Sequence, residues 1–302
     1  MTRVTDNRRW FEEQMREVPF ILLDGAIGTE LERAGYRTSL PLWSAMAAIE
    51  VPQLLEDLHT AYLRAGAQIL TANTFRTTRY TMAMEKQADL VPELVARAIR
   101  IAQRASDACG HDVVVAASLA PLEDCYRPDL VPDDSVIETH YREQIRLLLN
   151  CGADIILAET MLNASEVRSV THLCAEFHLP LIISLLAESG ALLDGTPLEV
   201  IIPEIQASEP LAILLNCRDV QVVSENLSIL RSLTDLPIGA YANGPGKPDP
   251  EVGWEHDAGG LEAFVDAARS WVSIGARIIG GCCGTTPAHI AALHMMRASL
   301  RE

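Results

Sequence analysis

Three cysteines carry the most chemistry in this chain of 302 residues: Cys217, and the adjacent pair Cys282-Cys283 set between Gly280-Gly281 and Gly284. Thiolates are soft ligands that Zn²⁺ takes in tetrahedral geometry, and a catalytic zinc keeps one of its four positions open. Three sulfurs plus one open position suit a soft incoming ligand such as a substrate thiol. Structural zinc closes with four ligands, often in CxxC knuckles, which an adjacent cysteine pair does not resemble. The flanking glycines remove side-chain bulk, so backbone and metal can approach closely. The competing reading is apolar filler, common for a free thiol. It is the simpler account of Cys109, Cys125, Cys151 and Cys174, which fall on helices or a loop. Seven cysteines without a secretory segment do not read as a disulfide framework.

Two acids stand in comparable positions. Asp24 ends the first apolar run and precedes Gly25, Gly28 and Thr29; Glu159 ends the fourth. Beside a thiolate-rich zinc a general base is less needed, because the metal itself lowers the pKa of a bound thiol. An anchor for an α-ammonium group is the better functional reading, with an Asx-turn or helix cap as the plain alternative for Asp24. The segment 25–29 offers backbone N–H groups suited to a carboxylate, so an amino acid can be held at both charged ends. Gly280-Gly281 also fit a phosphate, but the cysteines that follow make this the minor reading. The only lysines, Lys86 and Lys247, lie outside every expected strand, which disfavours a Schiff-base aldolase.

These residues need elements that bring them together. Eight short apolar runs occur at 20–24, 68–75, 113–121, 155–160, 181–187, 212–217, 238–243 and 277–283. Each is apolar on both faces and bounded by turn residues, as strands of a helix-covered parallel sheet should be. The stretches between them carry helical spacing. Residues 91–108 put Val91, Leu94, Val95, Ala98, Ile101 and Ala102 on one stripe, and 136–150 repeat the pattern. Thr286-Pro287 reads as an N-cap with proline at N1, and Gly66, Gly110, Gly152 and Gly275 close helices before strands. Eight such repeats predict a (β/α)₈ TIM barrel, one domain over 1–302 with a helical extension at 1–19. The rival, a doubly wound open sheet, would want a GxGxxG after an early strand, and none is present there. In a barrel the C-terminal strand ends share one mouth, so Asp24, Asn73, Ser118, Glu159, Asn216, Cys217, Asn243, Cys282 and Cys283 converge. The long irregular stretches 121–134 and 244–260 follow strand ends and are expected to form substrate loops.

Composition excludes several classes. The net charge of −17 argues against nucleic acid. No apolar run approaches the length of a membrane span, and residues 1–10 lack the apolar core of a secretory signal. A cytoplasmic location follows, and homo-oligomerisation is left open.

From about residue 20 to its end, the chain resembles the homocysteine S-methyltransferase family of zinc-dependent methyltransferases. The resemblance rests on Asp24-Gly25-Ala26-Ile27-Gly28-Thr29, Ala72-Asn73-Thr74-Phe75, Glu159-Thr160, Asn216-Cys217 and the specific run Gly280-Gly281-Cys282-Cys283-Gly284-Thr285-Thr286-Pro287. It implies zinc on Cys217, Cys282 and Cys283, and homocysteine as methyl acceptor, giving methionine. It also implies amino-acid contacts from Asp24, Gly25 and Glu159, to which Asn73 and Asn216 are added from the matching segments. Two segments depart from the family pattern: Ser118 is not followed by Gly-Pro, and Asn243 lacks a preceding proline. Both lie on loops that shape the donor side. An electron-rich thiolate centre suits a cationic donor, a sulfonium or quaternary ammonium, with Tyr126, Tyr241 or Trp254 lining its site by cation–π contact. The length has no room for folate or cobalamin domains, which favours S-methylmethionine. The alternatives are another thiol or selenol acceptor, and a non-catalytic zinc-binding homologue.

Overall fold

The computed structural model describes residues 7–249, 253–256 and 260–300. Eight parallel strands form one sheet: β1 (Ile21–Leu22), β2 (Ile69–Ala72), β3 (Val114–Leu119), β4 (Ile155–Met161), β5 (Leu181–Leu185), β6 (Ala212–Asn216), β7 (Ile238–Tyr241) and β8 (Ala276–Ile279). Neighbours in sequence are neighbours in the sheet, and β8 pairs with β1 through Ile21↔Ile278 and Leu22↔Ile279. The two ends of the sheet meet at a Leu23↔Ile69 bridge. There the Gln68 N–H donates to the Leu22 carbonyl at 2.7 Å and the Asp24 N–H to the Ile69 carbonyl at 3.1 Å. The sheet is therefore closed, which settles the choice between barrel and open sheet in favour of the (β/α)₈ barrel.

The runs are strands for the reason their composition suggests. β2, β3, β5, β6 and β7 are buried at every position, so both faces must be apolar or internally bonded. The helix Val91–Ala108 buries the stripe expected of it. Thr286 and His289 make a capping box ahead of the helix Pro287–Ser299. Gly275 ends its helix at φ 110°, a conformation open to glycine and costly for other residues.

At the N-terminal end of the barrel, the expected extension is a helix over Asn7–Glu17, with residues 1–6 outside the described ones. Trp10 and Phe11 pack on the inward-facing strand residues Ile21, Ile69 and Val114. Arg277 of β8 donates to the carbonyls of Pro19 and Val18 at 2.8 and 2.9 Å, tying the extension to the barrel floor. The floor is thus closed, and access lies at the C-terminal mouth.

The ladder stops short of several expected strand ends: β1 at Leu22, β2 at Ala72 and β8 at Ile279. The chemically interesting residues curl over the mouth just beyond it. The mouth also carries elements absent from the sequence reading. Short helices span Gly28–Arg33, Ala47–Glu50 and Arg79–Ala83, and hairpins form from Ala187–Glu188 with Ala191–Leu192 and from Gly246–Asp249 with Gly253–His256. The second hairpin occupies the loop expected at 244–260, of which 250–252 and 257–259 lie outside the described residues. Among the described residues no helix is long and apolar enough to cross a membrane.

Candidate metal and active site

Cys217 is the first residue past β6, and Cys282-Cys283 follow β8 after two glycines. Their three Sγ atoms lie within 4.8 Å of one another. Each backbone is held from outside its own strand. Cys217 takes φ 58°, a left-handed conformation uncommon for a side chain with a Cβ. The Cys282 N–H donates to the Ala242 carbonyl at 2.9 Å, and the Cys283 carbonyl accepts from the Gly244 N–H at 2.7 Å. Just before the pair, a Cβ on Gly281 would fall 2.2 Å from Thr285 Oγ1. That hydroxyl cannot move freely, because it donates to the Cys282 carbonyl at 2.7 Å and accepts from the Ala26 N–H at 3.2 Å.

The crowding has an electrostatic consequence. Contact with Cys282, and burial after it, push the Cys217 thiol well above its ordinary range; contact with Cys217, then burial, does the same to Cys283. Three thiols this close, one buried and two half-buried, cannot all ionise alone, since like charges at such separation in a poorly solvated site are expensive. A cation among them removes the penalty. The donor set, its convergence and the glycine-relieved backbone all fit a metal. Cys125 packs beside Cys217 with Leu162 and Leu186 but is outside the trio, and burial lifts its thiol to about 11.

The cavity beside the cysteines, about 100 Å³, is also lined by Asp24, Gly25, Asn73 and Glu159. Asp24 accepts from the Thr71 N–H at 2.7 Å and from its hydroxyl at 2.8 Å. Burial nevertheless pushes the Asp24 carboxyl up to about 7, and the nearby Glu159 adds to the rise. Glu159 accepts from the Ser118 hydroxyl and, at 3.2 Å, from the Tyr241 hydroxyl, and burial raises it too. Two carboxyl groups on one small cavity, Asp24 buried and Glu159 half-buried, leave it short of positive charge. Gly28 and Thr29, at the start of the helix Gly28–Arg33 that no side chain caps, also line the cavity.

Asn73 and Asn216 are both engaged with protein. Asn73 Nδ2 donates to the Ser44 carbonyl at 2.8 Å, and its Oδ1 accepts from the Ser44 hydroxyl at 2.9 Å. This pins Trp43-Ser44 over the cavity. Trp43 takes φ 52°, and its indole fills the space beside Gly28, where a Cβ would lie 2.0 Å from Nε1. Asn216 is not among the residues lining the cavity; its amide bonds Thr160 and Ser184. Of the three aromatics expected near a donor, Tyr241 lines the cavity. The Tyr126 hydroxyl lies 3.0 Å from Cys217 Sγ, and Trp254 packs against Gly284.

Trp43, Ser44 and Thr71 escaped the sequence reading. Thr71 had a usable signal: it is a polar residue two positions before Asn73 in an otherwise apolar strand, and so on the same face. Trp43-Ser44 had none, lying in a segment without periodicity.

Metal-compatible thiols and an acid-lined cavity at the mouth of a closed barrel define a class of thiol-handling barrel enzymes. The chain belongs to the homocysteine S-methyltransferase family, whose sequence model matches residues 21–296. It is 31% identical to the homocysteine S-methyltransferase of Escherichia coli (strain K12), over 90% of this chain and 94% of that protein. It is 30% identical to the selenocysteine Se-methyltransferase of Brassica oleracea var. italica, over 94% and 90% of the two chains. Its fold superposes on the metallated form of the Escherichia coli homocysteine methyltransferase MmuM with a TM-score of 0.81, at 30% identity, covering 96% of this chain and 99% of that one.

Proposed function

We propose that this protein transfers a methyl group from a small sulfonium donor, S-methylmethionine first, to the thiol of homocysteine, with Zn²⁺ on Cys217, Cys282 and Cys283. The observation that carries this reading is that the three sulfurs line the same small cavity as the Asp24 and Glu159 carboxyl groups. A zinc ion held by these three sulfurs would supply the positive charge that lets a substrate thiol release its proton to solvent near neutral pH.

Asp24 and Glu159 take the substrate ammonium, which relieves their mutual repulsion. The segment 25–29 and the uncapped start of the helix Gly28–Arg33 face the carboxylate. Held at both ends, the substrate points its sulfur at the cysteines. The sulfur attacks the methyl carbon of the sulfonium in line with the departing sulfur. A C–S bond forms, the old one breaks, and its electron pair leaves on the donor, which becomes a neutral thioether. Asn73 and Asn216 act by positioning, one through Trp43-Ser44 and the other through Thr160.

Location in the cytoplasm is part of the proposal, supported by a thiol trio that must stay reduced. A selenol acceptor is the second reading, favoured by the selenocysteine-methylating relative. A cobalt-loaded sample tests acceptor binding: homocysteine should intensify the sulfur-to-cobalt charge-transfer absorption, and S-methylhomocysteine, whose sulfur is already capped, should not. Equal responses to both, or none to either, would count against it.

A further inference from the structure

Every thiolate in such a site is a nucleophile toward a methyl donor, and the three protein sulfurs are present at every turnover. Methylating one would turn a ligand into a neutral thioether and end activity. This question rests on the reading above, and the fold offers a specific answer for one sulfur.

Tyr126 comes from the stretch between β3 and the helix Asp134–Asn150, 91 residues from Cys217. Its hydroxyl donates to the Cys217 carbonyl at 3.2 Å and lies 3.0 Å from Cys217 Sγ, where either atom can donate. Once Cys217 is a thiolate it can only accept, so the one hydroxyl hydrogen is shared with or turned to the sulfur. Among the described residues no other hydroxyl or amide donor reaches any of the three sulfurs. Tyr126 is 37% exposed while Cys217 is 6% exposed, so the hydroxyl reaches a sulfur that is otherwise largely enclosed by protein. The ring is itself held: the Arg218 guanidinium lies 5.9 Å from its centroid, and Arg218 pairs with Glu188 of the hairpin after β5.

We propose that Tyr126 is a positioning and shielding residue: by donating its hydroxyl to Cys217 Sγ, it makes Cys217 the least nucleophilic of the three sulfurs and keeps the methyl group for the substrate. A hydrogen bond to a thiolate withdraws electron density from the lone pair that would attack. Without it, the Cys217 sulfur competes for the donor methyl: an S–CH₃ bond forms on Cys217, and the donor leaves as its thioether with the electron pair of the broken bond.

The variant Tyr126→Phe keeps the ring and removes only the hydroxyl. Zinc-loaded wild type and variant are treated with iodoacetamide, and alkylation of Cys217, Cys282 and Cys283 is followed by peptide mass spectrometry. The expected result is Cys217 alkylation about fivefold faster in the variant, the factor one ordinary hydrogen bond is worth, with Cys282 and Cys283 unchanged. Incubation with S-methylmethionine alone should then add a methyl group to Cys217 in the variant. An unchanged Cys217 rate overturns the proposal. So does an equal rise at all three cysteines, which would mean a loosened metal site. Iodoacetamide needs neither the proposed donor nor the proposed acceptor, so this result stands apart from whether wild type forms methionine.

Discussion

The side chain of Asn216 is bonded on both its atoms to Thr160: Oδ1 accepts from the Thr160 N–H at 3.1 Å, and Nδ2 donates to the Thr160 hydroxyl at 3.0 Å. Thr160 follows Glu159 and Asn216 precedes Cys217, so one amide couples the acid strand to the thiol strand. Thr160 and Cys217 both sit in left-handed backbone, at φ 62° and 58°. Such conformations persist where their surroundings over-determine them. The amide of Asn216 is a central part of those surroundings.

Asn216→Ala therefore has two effects. Thr160 and Ser184 lose buried partners, at a cost of about 2–4 kcal/mol in stability. Acceptor binding and metal retention should fall together, because both strand ends loosen. Urea unfolding and metal content measured on the same sample check this. A variant that is destabilised but retains full metal and normal acceptor affinity would contradict the coupling.

Asp24 gives a prediction in pH. Its folded carboxyl sits near 7 against an ordinary 3.8, so between these values the folded chain holds a proton that the unfolded chain releases. Its contribution to stability is thus full below about pH 4 and lost as pH rises through about 7. Asp24→Asn should be more stable than wild type at pH 8, by up to about 4 kcal/mol, and no more stable at pH 4. Its acceptor KM should rise, and wild-type KM should rise as pH falls below about 7, because the ammonium needs the ionised carboxylate. Thermal denaturation at the two pH values, with acceptor KM, checks both parts.

Gly281→Ala tests the packing behind the cysteine pair. The new methyl group would fall 2.2 Å from Thr285 Oγ1, whose bonds to Ala26 and Cys282 it must break. Metal affinity should drop about 10- to 100-fold, the usual effect of disturbing the groups that orient metal ligands. Competition with a chromophoric chelator measures it.

Much of this arrangement was legible in the sequence. The strands were, because a helix-covered parallel sheet forces both faces to be apolar, and polar residues ending such runs stand out. Asp24, Glu159, Cys217, Cys282 and Cys283 meet as the strand count required. The hairpin Ala187–Glu188 with Ala191–Leu192 was not legible, since two-residue ladders leave no periodicity. The place of Trp43-Ser44 over the cavity depends on Asn73, across 29 residues, and the approach of Tyr126 to Cys217 spans 91. Such contacts follow from the closed fold and have no local signature. Asn216 stood out in the sequence as a polar strand end expected to contact substrate, but it does not line the cavity, and the engagement of its amide with Thr160 had no signal in the sequence.

The most direct measurement is methionine formation from homocysteine by the zinc-loaded protein against S-methylmethionine, S-adenosylmethionine, betaine and dimethylsulfoniopropionate, with Cys283→Ala in parallel. The account predicts turnover with a sulfonium donor, fastest with S-methylmethionine, and none in Cys283→Ala, where only two of the three sulfurs remain. Absence of methionine from every donor, with one zinc bound per chain, would contradict it.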